Sequence, residues 1–350
     1  MRPNGCHVRG CGFTYPCCRD TLKQAILYGP GDLRIEERLL DPSSLAPDEI
    51  YAETEVSALS TGTDLGNYLG KSTEVPGAPD YPRWVGYSNV GIIKKIGPAV
   101  EGLKVGQRVF CLKPHQSAYI AQSNQVLASV PDTVSSEHAS LSYFAGLGVA
   151  ALRRVHFEPG ESVAVVGLGV IGLATVALAR AMGAHVTAVA NSRLRAEAAL
   201  AQGAEVVYVI GSPEPPRDRD IVVLTANTWE AYRLSVDVAR YCGRVSVLGF
   251  PGRGCPAVDF NPLDPRWFYG KQLTLSAAGF TPDLECLPWE IRFNLRRNLE
   301  YILGLMARGS VNLERIITHR LPWQRMQEAY ELAREHSKSL MAAVFDWRSA

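Results

Sequence analysis

The sequence predicts an α/β chain in two parts, a β-rich part and then a doubly wound parallel sheet. Three observations carry this. Short alternating apolar runs, broken by Gly and Pro, follow one another from Lys23 to about residue 140. From Glu161 onward, wholly apolar strands alternate with helical patterns. Where the second pattern begins stands "VAVVGLGVIG", a glycine-spaced turn between a strand and a helix. At 350 residues the chain is long enough for about two domains of ordinary size.

The elements follow in order. "KQAILYGPGDLRIEE" alternates around a Gly-Pro-Gly turn and predicts a hairpin. Residues 49–60 alternate and predict a long strand, and 90–97 and 104–112 predict two short ones. "SAYIAQSNQVLASVP" continues the pattern. Near Ser142 the spacing turns helical, in "YFAGLGVAALRRV". Strands are then predicted at 161–167, 185–190, 205–210, 220–226, 244–250 and 272–278. Helices are predicted between them, from Val170, at 194–202 and at 228–240. Apolar strands alternating with helices mean a parallel sheet covered on both faces. The last seventy residues return to mixed structure, with helices at 293–307 and 323–335 and a final strand in "SLMAAVFDW".

Composition narrows the function classes. Basic and acidic residues number 36 and 35 and are mixed along the chain, so no basic stripe argues for nucleic acid. The longest apolar stretch, 162–181, carries three glycines and predicts strand, turn and helix rather than a membrane span. Cys111, Cys242, Cys255 and Cys286 are scattered, as in reduced thiols of a cytoplasmic protein. Cys6, Cys11, Cys17 and Cys18 crowd residues 1–22, which are expected to be a poorly ordered extension. Their spacing matches no standard zinc pattern.

The strongest motif is G-x-G-x-x-G at Gly167, Gly169 and Gly172. Gly167 permits the tight turn, Gly169 lets a pyrophosphate approach the backbone, and Gly172 lets the helix pack on the strand. Val170 and Ile171 open that helix, whose N-terminus offers free N–H groups and a positive dipole end. The second strand ends at Ala190, where an NAD site usually carries an acid. Asn191, Ser192, Arg193 and Arg195 follow. With no carboxylate to repel a 2′-phosphate, this stretch predicts NADP in preference to NAD. Arg193 and Arg195 also suit the solvated start of a helix.

With these motifs in place, the chain from Lys23 to its end resembles the medium-chain dehydrogenase/reductase superfamily. "VSALSTGTDLGNYLG", "VGYSNVGIIKKIGPAVEGLKVGQRV", "EPGESVAVVGLGVIGLATVALARAMGA" and "IITHRLP" fall in the family's order. The resemblance implies a GroES-like catalytic domain over 23–150, completed by 281–350, and a Rossmann domain over 151–280. "STGTD", "GYSNVG" and "FCLKPHQSAYI" are similar to the branch with bacteriochlorophyllide hydroxyethyl dehydrogenases. Zinc members hold their catalytic metal with a Cys, a His and a third Cys, Asp or Glu. By motif those positions are Thr61, Tyr87 and the neighbourhood of Tyr143 here. Neutral hydroxyls are poor zinc ligands, and only Cys111 stands where the family's structural zinc lobe needs four cysteines. The expectation is therefore no metal.

Without zinc, hydrogen-bond donors must meet the charge on a substrate oxygen. The candidates are the Tyr87 and Tyr143 phenols, the Thr63 hydroxyl, which matches the family's proton-passing hydroxyl, and His115 in "KPHQSAYI". His115 is placed as a cleft histidine suited to proton exchange near neutrality, with a satisfied loop histidine as the alternative. Tyr87 is either a donor or a filler of the empty metal pocket. Asp64 and His319 are taken as structural, and Phe250 is expected near the nicotinamide. Secondary alcohol–ketone interconversion on a small molecule leads. Reduction of a polarised C=C bond and a non-catalytic NADPH-binding module are the alternatives. The strand "QLTLSAA" would leave an apolar sheet edge, and pairing it with a second copy predicts a homodimer.

Overall fold

The computed structural model describes residues 20–71, 80–249, 251, 260–279 and 293–348. The N-terminal cysteines, Phe250, Cys255 and Cys286 lie outside these residues.

Strands β1 (Asp20–Gly29) and β2 (Asp32–Leu40) form the expected antiparallel hairpin. Then come β3 (Glu49–Ala58), the short helix α1 (Thr63–Tyr68), β4 (Arg83–Trp84), β5 (Ser88–Ile96) and β6 (Arg108–Cys111). β7 (Ala118–Gln122), β8 (Val126–Ser129) and the short helix α2 (Ser136–Ser140) complete the β-rich part. Two sheets result. β4 pairs with β1 in the smaller one. The larger one includes β3, β5, β6, β7 and β8 and is antiparallel throughout that set. The helices α1 and α2 were not legible as periodic patterns. At six and five residues they are too short to show one.

Helix α3 (Ser142–Arg154) leads into the alternating part. This contains β9 (Ser162–Val166), α4 (Val170–Ala181), β10 (His185–Ala190), α5 (Arg193–Ala201) and β11 (Val206–Val209). It continues with β12 (Arg219–Leu224), α6 (Trp229–Val238), β13 (Ala239–Val247) and β14 (Thr274–Ala277). Their order across the sheet is β11-β10-β9-β12-β13-β14, all parallel. This is the doubly wound order of a Rossmann sheet, in which the direction of winding reverses between β9 and β12. Ligands bind outside the carboxyl ends of the strands at such a switch point.

The apolar pattern explains both faces. Val163 and Val165 of β9 bury toward α4, with Leu173, Val176 and Ala177. Ala164 and Val166 bury toward α6, with Tyr232 and Val236. Alternate residues of one strand thus serve opposite layers. Beyond the sheet lie α7 (Leu295–Ala307), β15 (Ile317–Pro322), α8 (Met326–Arg334) and β16 (Ala342–Asp346). β16 pairs antiparallel with β3, so the chain end joins the β-rich sheet. Among the described residues no helix is long and apolar enough to cross a membrane.

Candidate active site

Turn geometry builds the first half of the site. Gly167 follows β9 with φ of +97°, a conformation that favours glycine. A Cβ on Gly172 would lie 1.9 Å from the Gly167 carbonyl oxygen, so α4 can approach its own loop only with glycine there. Helices α5, α6 and α7 each begin with a side chain that caps their N–H groups, from Ser192, Thr228 and Asn294. Helix α4 begins at Gly169 and has no such cap. Its first N–H groups therefore open onto the space above the sheet.

That space is a cleft of about 850 Å³. On the sheet side it is lined by the loop 167–172, including Val170 and Ile171, by residues 225–228 after β12, and by Leu248 and Gly249 after β13. Thr225 donates its hydroxyl to the Gly167 carbonyl at 2.7 Å and so braces the loop. The nearest heavy atom to a Cβ built on Gly169 is Thr61 Oγ1, 4.0 Å away. The residues present fit a dinucleotide: an open glycine cradle, an uncapped helix start and a switch-point cleft.

The four polar residues at 191–195, after β10, divide. Asn191 and Arg195 line the cleft. Ser192 accepts the Arg195 N–H and is spent as a helix cap. Arg193 extends into solvent, where it pairs with Glu197 at 3.0 Å one helical turn on. Such an exposed pair is worth only about 0.3–0.5 kcal/mol, so it does not hold the guanidinium away from a ligand. Arg195 donates to the Leu168 carbonyl and, at 2.9 Å, to the Leu340 carbonyl. It ties the glycine loop to the segment before β16.

The opposite wall carries hydroxyls: Ser60, Thr61, Thr63, Tyr87 and Tyr143. The Tyr87 ring stands edge-on to Tyr143 with centroids 5.3 Å apart, and edge-on to Phe144 at 6.0 Å. The Ser60 and Thr63 hydroxyls lie beside its own. Burial, and then the nearby Asp64 carboxyl, raise the Tyr87 pKa far above the ordinary phenol value. Burial raises that of Tyr143 as well. Both groups stay protonated at neutral pH and present O–H donors to the cleft.

A zinc ion does not fit this wall. The three family ligand positions carry hydroxyls in place of thiolate and imidazole, and two phenol rings pack against each other there. Among the described residues no three His, Cys, Asp or Glu are grouped as metal ligands.

His115 requires a correction. Expected at the cleft, it is fully buried behind it and does not line it. Its Nδ1 shares a 2.8 Å hydrogen bond with Ser57 Oγ, and its ring stands edge-on to Phe345 at 4.9 Å. Burial lowers its pKa to about 3, so near neutrality it exchanges no proton. The physical reason is tertiary: β16 and α8, far along the chain, enclose a position that looked like an open loop.

Asp64 is also fully buried. It accepts the Ser60 N–H at 2.9 Å and the Gly86 N–H at 3.1 Å. Its Oδ2 lies 3.9 Å from His115 Nε2, too far for a hydrogen bond. Burial raises its pKa to about 7, partly opposed by those two backbone donors.

The comparisons agree with this geometry. Residues 47–156 match the alcohol dehydrogenase GroES-like domain. An alcohol dehydrogenase of Geobacillus stearothermophilus is 31% identical over 318 residues, 76% of this chain and 92% of the relative. This chain belongs to the alcohol dehydrogenase-like medium-chain dehydrogenases/reductases. A sorbitol dehydrogenase of Bombyx mori is 24% identical over 89% of this chain and 94% of its own length. The solved galactitol-1-phosphate dehydrogenase of Escherichia coli shares the fold, with a TM-score of 0.78 and 19% identity over 93% of this chain and 99% of its own. Membership makes the chain an oxidoreductase built from a GroES-like and a Rossmann-type domain.

For such an oxidoreductase, sequence reasoning missed three cleft residues, Ser60, Thr225 and Asn227. Ser60 is the first residue of "STGTD", in which only Thr61, Thr63 and Asp64 were given roles. Thr225 lies at the end of the strand predicted at 220–226 and Asn227 just after it, and the carboxyl end of a parallel strand was the signal that could have found them.

Proposed function

We propose that the chain is an NADP(H)-dependent oxidoreductase that works without zinc and interconverts a secondary alcohol and a ketone on a small or cyclic metabolite. One observation carries this: the hydroxyls of Ser60, Thr61, Thr63 and Tyr87 line a single cleft with the glycine loop, and Thr61 and Tyr87 stand where zinc members carry metal ligands. When bound, the nicotinamide gives or takes the hydride. The chain's own groups do the rest. The Tyr87 phenol donates a hydrogen bond to the substrate oxygen, with Ser60 and Thr63 holding its orientation. In the reducing direction the proton that follows comes from this hydroxyl cluster. Tyr143 supports the Tyr87 ring and narrows the pocket.

The missing acid at Ala190, Asn191 in the cleft and the loosely held Arg193 favour NADP over NAD. The alcohol reading draws on relatives whose names concern alcohols and polyols, and on the likeness to the bacteriochlorophyllide hydroxyethyl dehydrogenase branch. β14 ends the sheet with Thr274 and Ala277 exposed, which supports pairing with a second copy. We place the catalytic domain at 23–150 with 281–350 and the cofactor domain at 151–280.

A second reading rests on the donor set itself. Neutral hydroxyls stabilise the delocalised charge of an enolate more readily than a localised alkoxide, which favours reduction of a polarised C=C bond. Purified protein supplied with NADPH and matched panels of cyclic ketones and enones separates the two. Turnover of saturated ketones removes the C=C reading, and turnover of enones alone removes the leading one.

A further inference from the structure

The mechanism leaves Asp64 and His115 unused, although both are fully buried directly behind the hydroxyl wall. Their contacts converge on one peptide. Asp64 holds the Ser60 N–H with one carboxyl oxygen and the Gly86 N–H with the other. A single side chain thus ties together the two segments that present Ser60, Thr63 and Tyr87 to the cleft. His115 closes on the same peptide from the other side. A Cβ on Gly86 would lie 2.5 Å from His115 Cγ and 2.6 Å from Cδ2 and Nδ1, so the imidazole rests on the bare glycine. Gly86 has φ of +84°, which turns the chain so that Tyr87 enters the cleft.

The imidazole is itself fixed. Its backbone N–H donates to the Val85 carbonyl at 2.8 Å, one residue before Gly86. Ser57 Oγ accepts the Trp347 indole N–H at 2.9 Å and shares a 2.8 Å hydrogen bond with His115 Nδ1. Its Nε2 has no hydrogen-bond partner and faces Asp64. Phe345 and Tyr330 close the remaining sides.

We propose that Asp64 and His115 are positioning residues that clamp the Gly86–Tyr87 peptide and so set where the Tyr87 hydroxyl meets the substrate oxygen. Neither touches the substrate. The clamp rests on the proposed role of Tyr87, and it takes up the structural task that a metal and its ligands perform in zinc members: one rigid point at the reacting oxygen. A clamp of backbone hydrogen bonds and a packed ring holds the donor without a bound ion.

The test needs no knowledge of the substrate. The full chain is labelled with 3-fluorotyrosine, and the Tyr87 fluorine line is assigned by its loss in Tyr87→Phe. Asp64→Asn and Ser57→Ala are compared with the wild type, and NADPH binding is followed by its fluorescence. In the wild type we expect one narrow Tyr87 line. In both variants this line should shift and broaden or split. The lines of Tyr232 and Tyr301, on distant helices, should stay in place, and the NADPH Kd should stay within twofold. A merely structural role would disturb all lines together. A Tyr87 line unchanged in the variants overturns the clamp. Should Asp64→Asn fail to fold, Ser57→Ala, which leaves both Asp64 hydrogen bonds intact, decides alone. Failure of the wild type to bind NADPH would instead remove the proposed function, while the Tyr87 line would still judge the clamp.

Discussion

Replacing Asp64 by Asn should change how stability depends on pH, and the structure supplies the sign. In the folded chain Asp64 is raised from 3.8 to about 7 by burial, with no cation in hydrogen-bond contact. The folded state therefore holds this proton more tightly than the unfolded state, and stability is lost as pH rises between these values. At 1.36 kcal/mol per pH unit the loss is roughly 4 kcal/mol. His115 acts in the opposite sense. Its fall from 6.5 to about 3 means that the unfolded chain takes up a proton first, so stability is lost as pH falls. That loss is about 5 kcal/mol on the same scale. Between about pH 4 and 6.5 the two slopes oppose and nearly cancel in the wild type. Asn cannot titrate, so only the His115 slope remains in the variant. The deficit of Asp64→Asn relative to wild type should therefore shrink by roughly 4 kcal/mol between pH 4 and pH 7. Urea unfolding followed by tryptophan fluorescence measures this, with Trp347 reporting beside Ser57 and His115. A deficit that stays constant, or grows with pH, would refute the reasoning. Growth would mean an ionised Asp64 paired with a protonated imidazole.

Tyr87→Phe removes the donor but keeps the ring against Tyr143 and Phe144. On any ketone or enone the wild type turns over, kcat should fall about 100-fold while the NADPH Kd stays unchanged. Gly169→Ala should leave thermal stability intact, because a Cβ there meets nothing nearer than 4.0 Å, yet weaken NADPH binding at least about tenfold by blocking the pyrophosphate. Gly172→Ala differs, since the clash with the Gly167 carbonyl should lower both stability and binding. Arg193→Ala should weaken NADPH by about 10- to 100-fold and leave NADH unaffected, the cost of one charge-assisted hydrogen bond, as read by fluorescence titration.

Some of this was legible in the sequence because the determinants are local. The glycine spacing of 167, 169 and 172 requires only neighbouring residues, and strand–helix alternation reports its own sheet. The gathering of Thr61, Tyr87 and Tyr143 at one wall was readable only through the family resemblance, since those residues come from three distant segments. His115 was misjudged because its surroundings, Ser57, Gly86, Tyr330 and Phe345, are brought together by the return of α8 and β16. No periodicity near residue 115 announces that. Arg193 and Arg195 differ in the same way. A helix start places one in solvent and turns the other toward the Leu168 and Leu340 carbonyls, and their order in the sequence does not say which. Asp64 was rightly taken as an anchor, but the peptide it anchors lies across the fold at Gly86.

The central claim is that hydroxyls do at this site what zinc does in the family's metal enzymes. Metal analysis of the purified protein, paired with NADPH-dependent turnover before and after exhaustive chelation, tests it most directly. The prediction is far less than one zinc per chain and a turnover rate unchanged by the chelator. One zinc per chain, with activity lost on chelation and restored by added zinc, would contradict it.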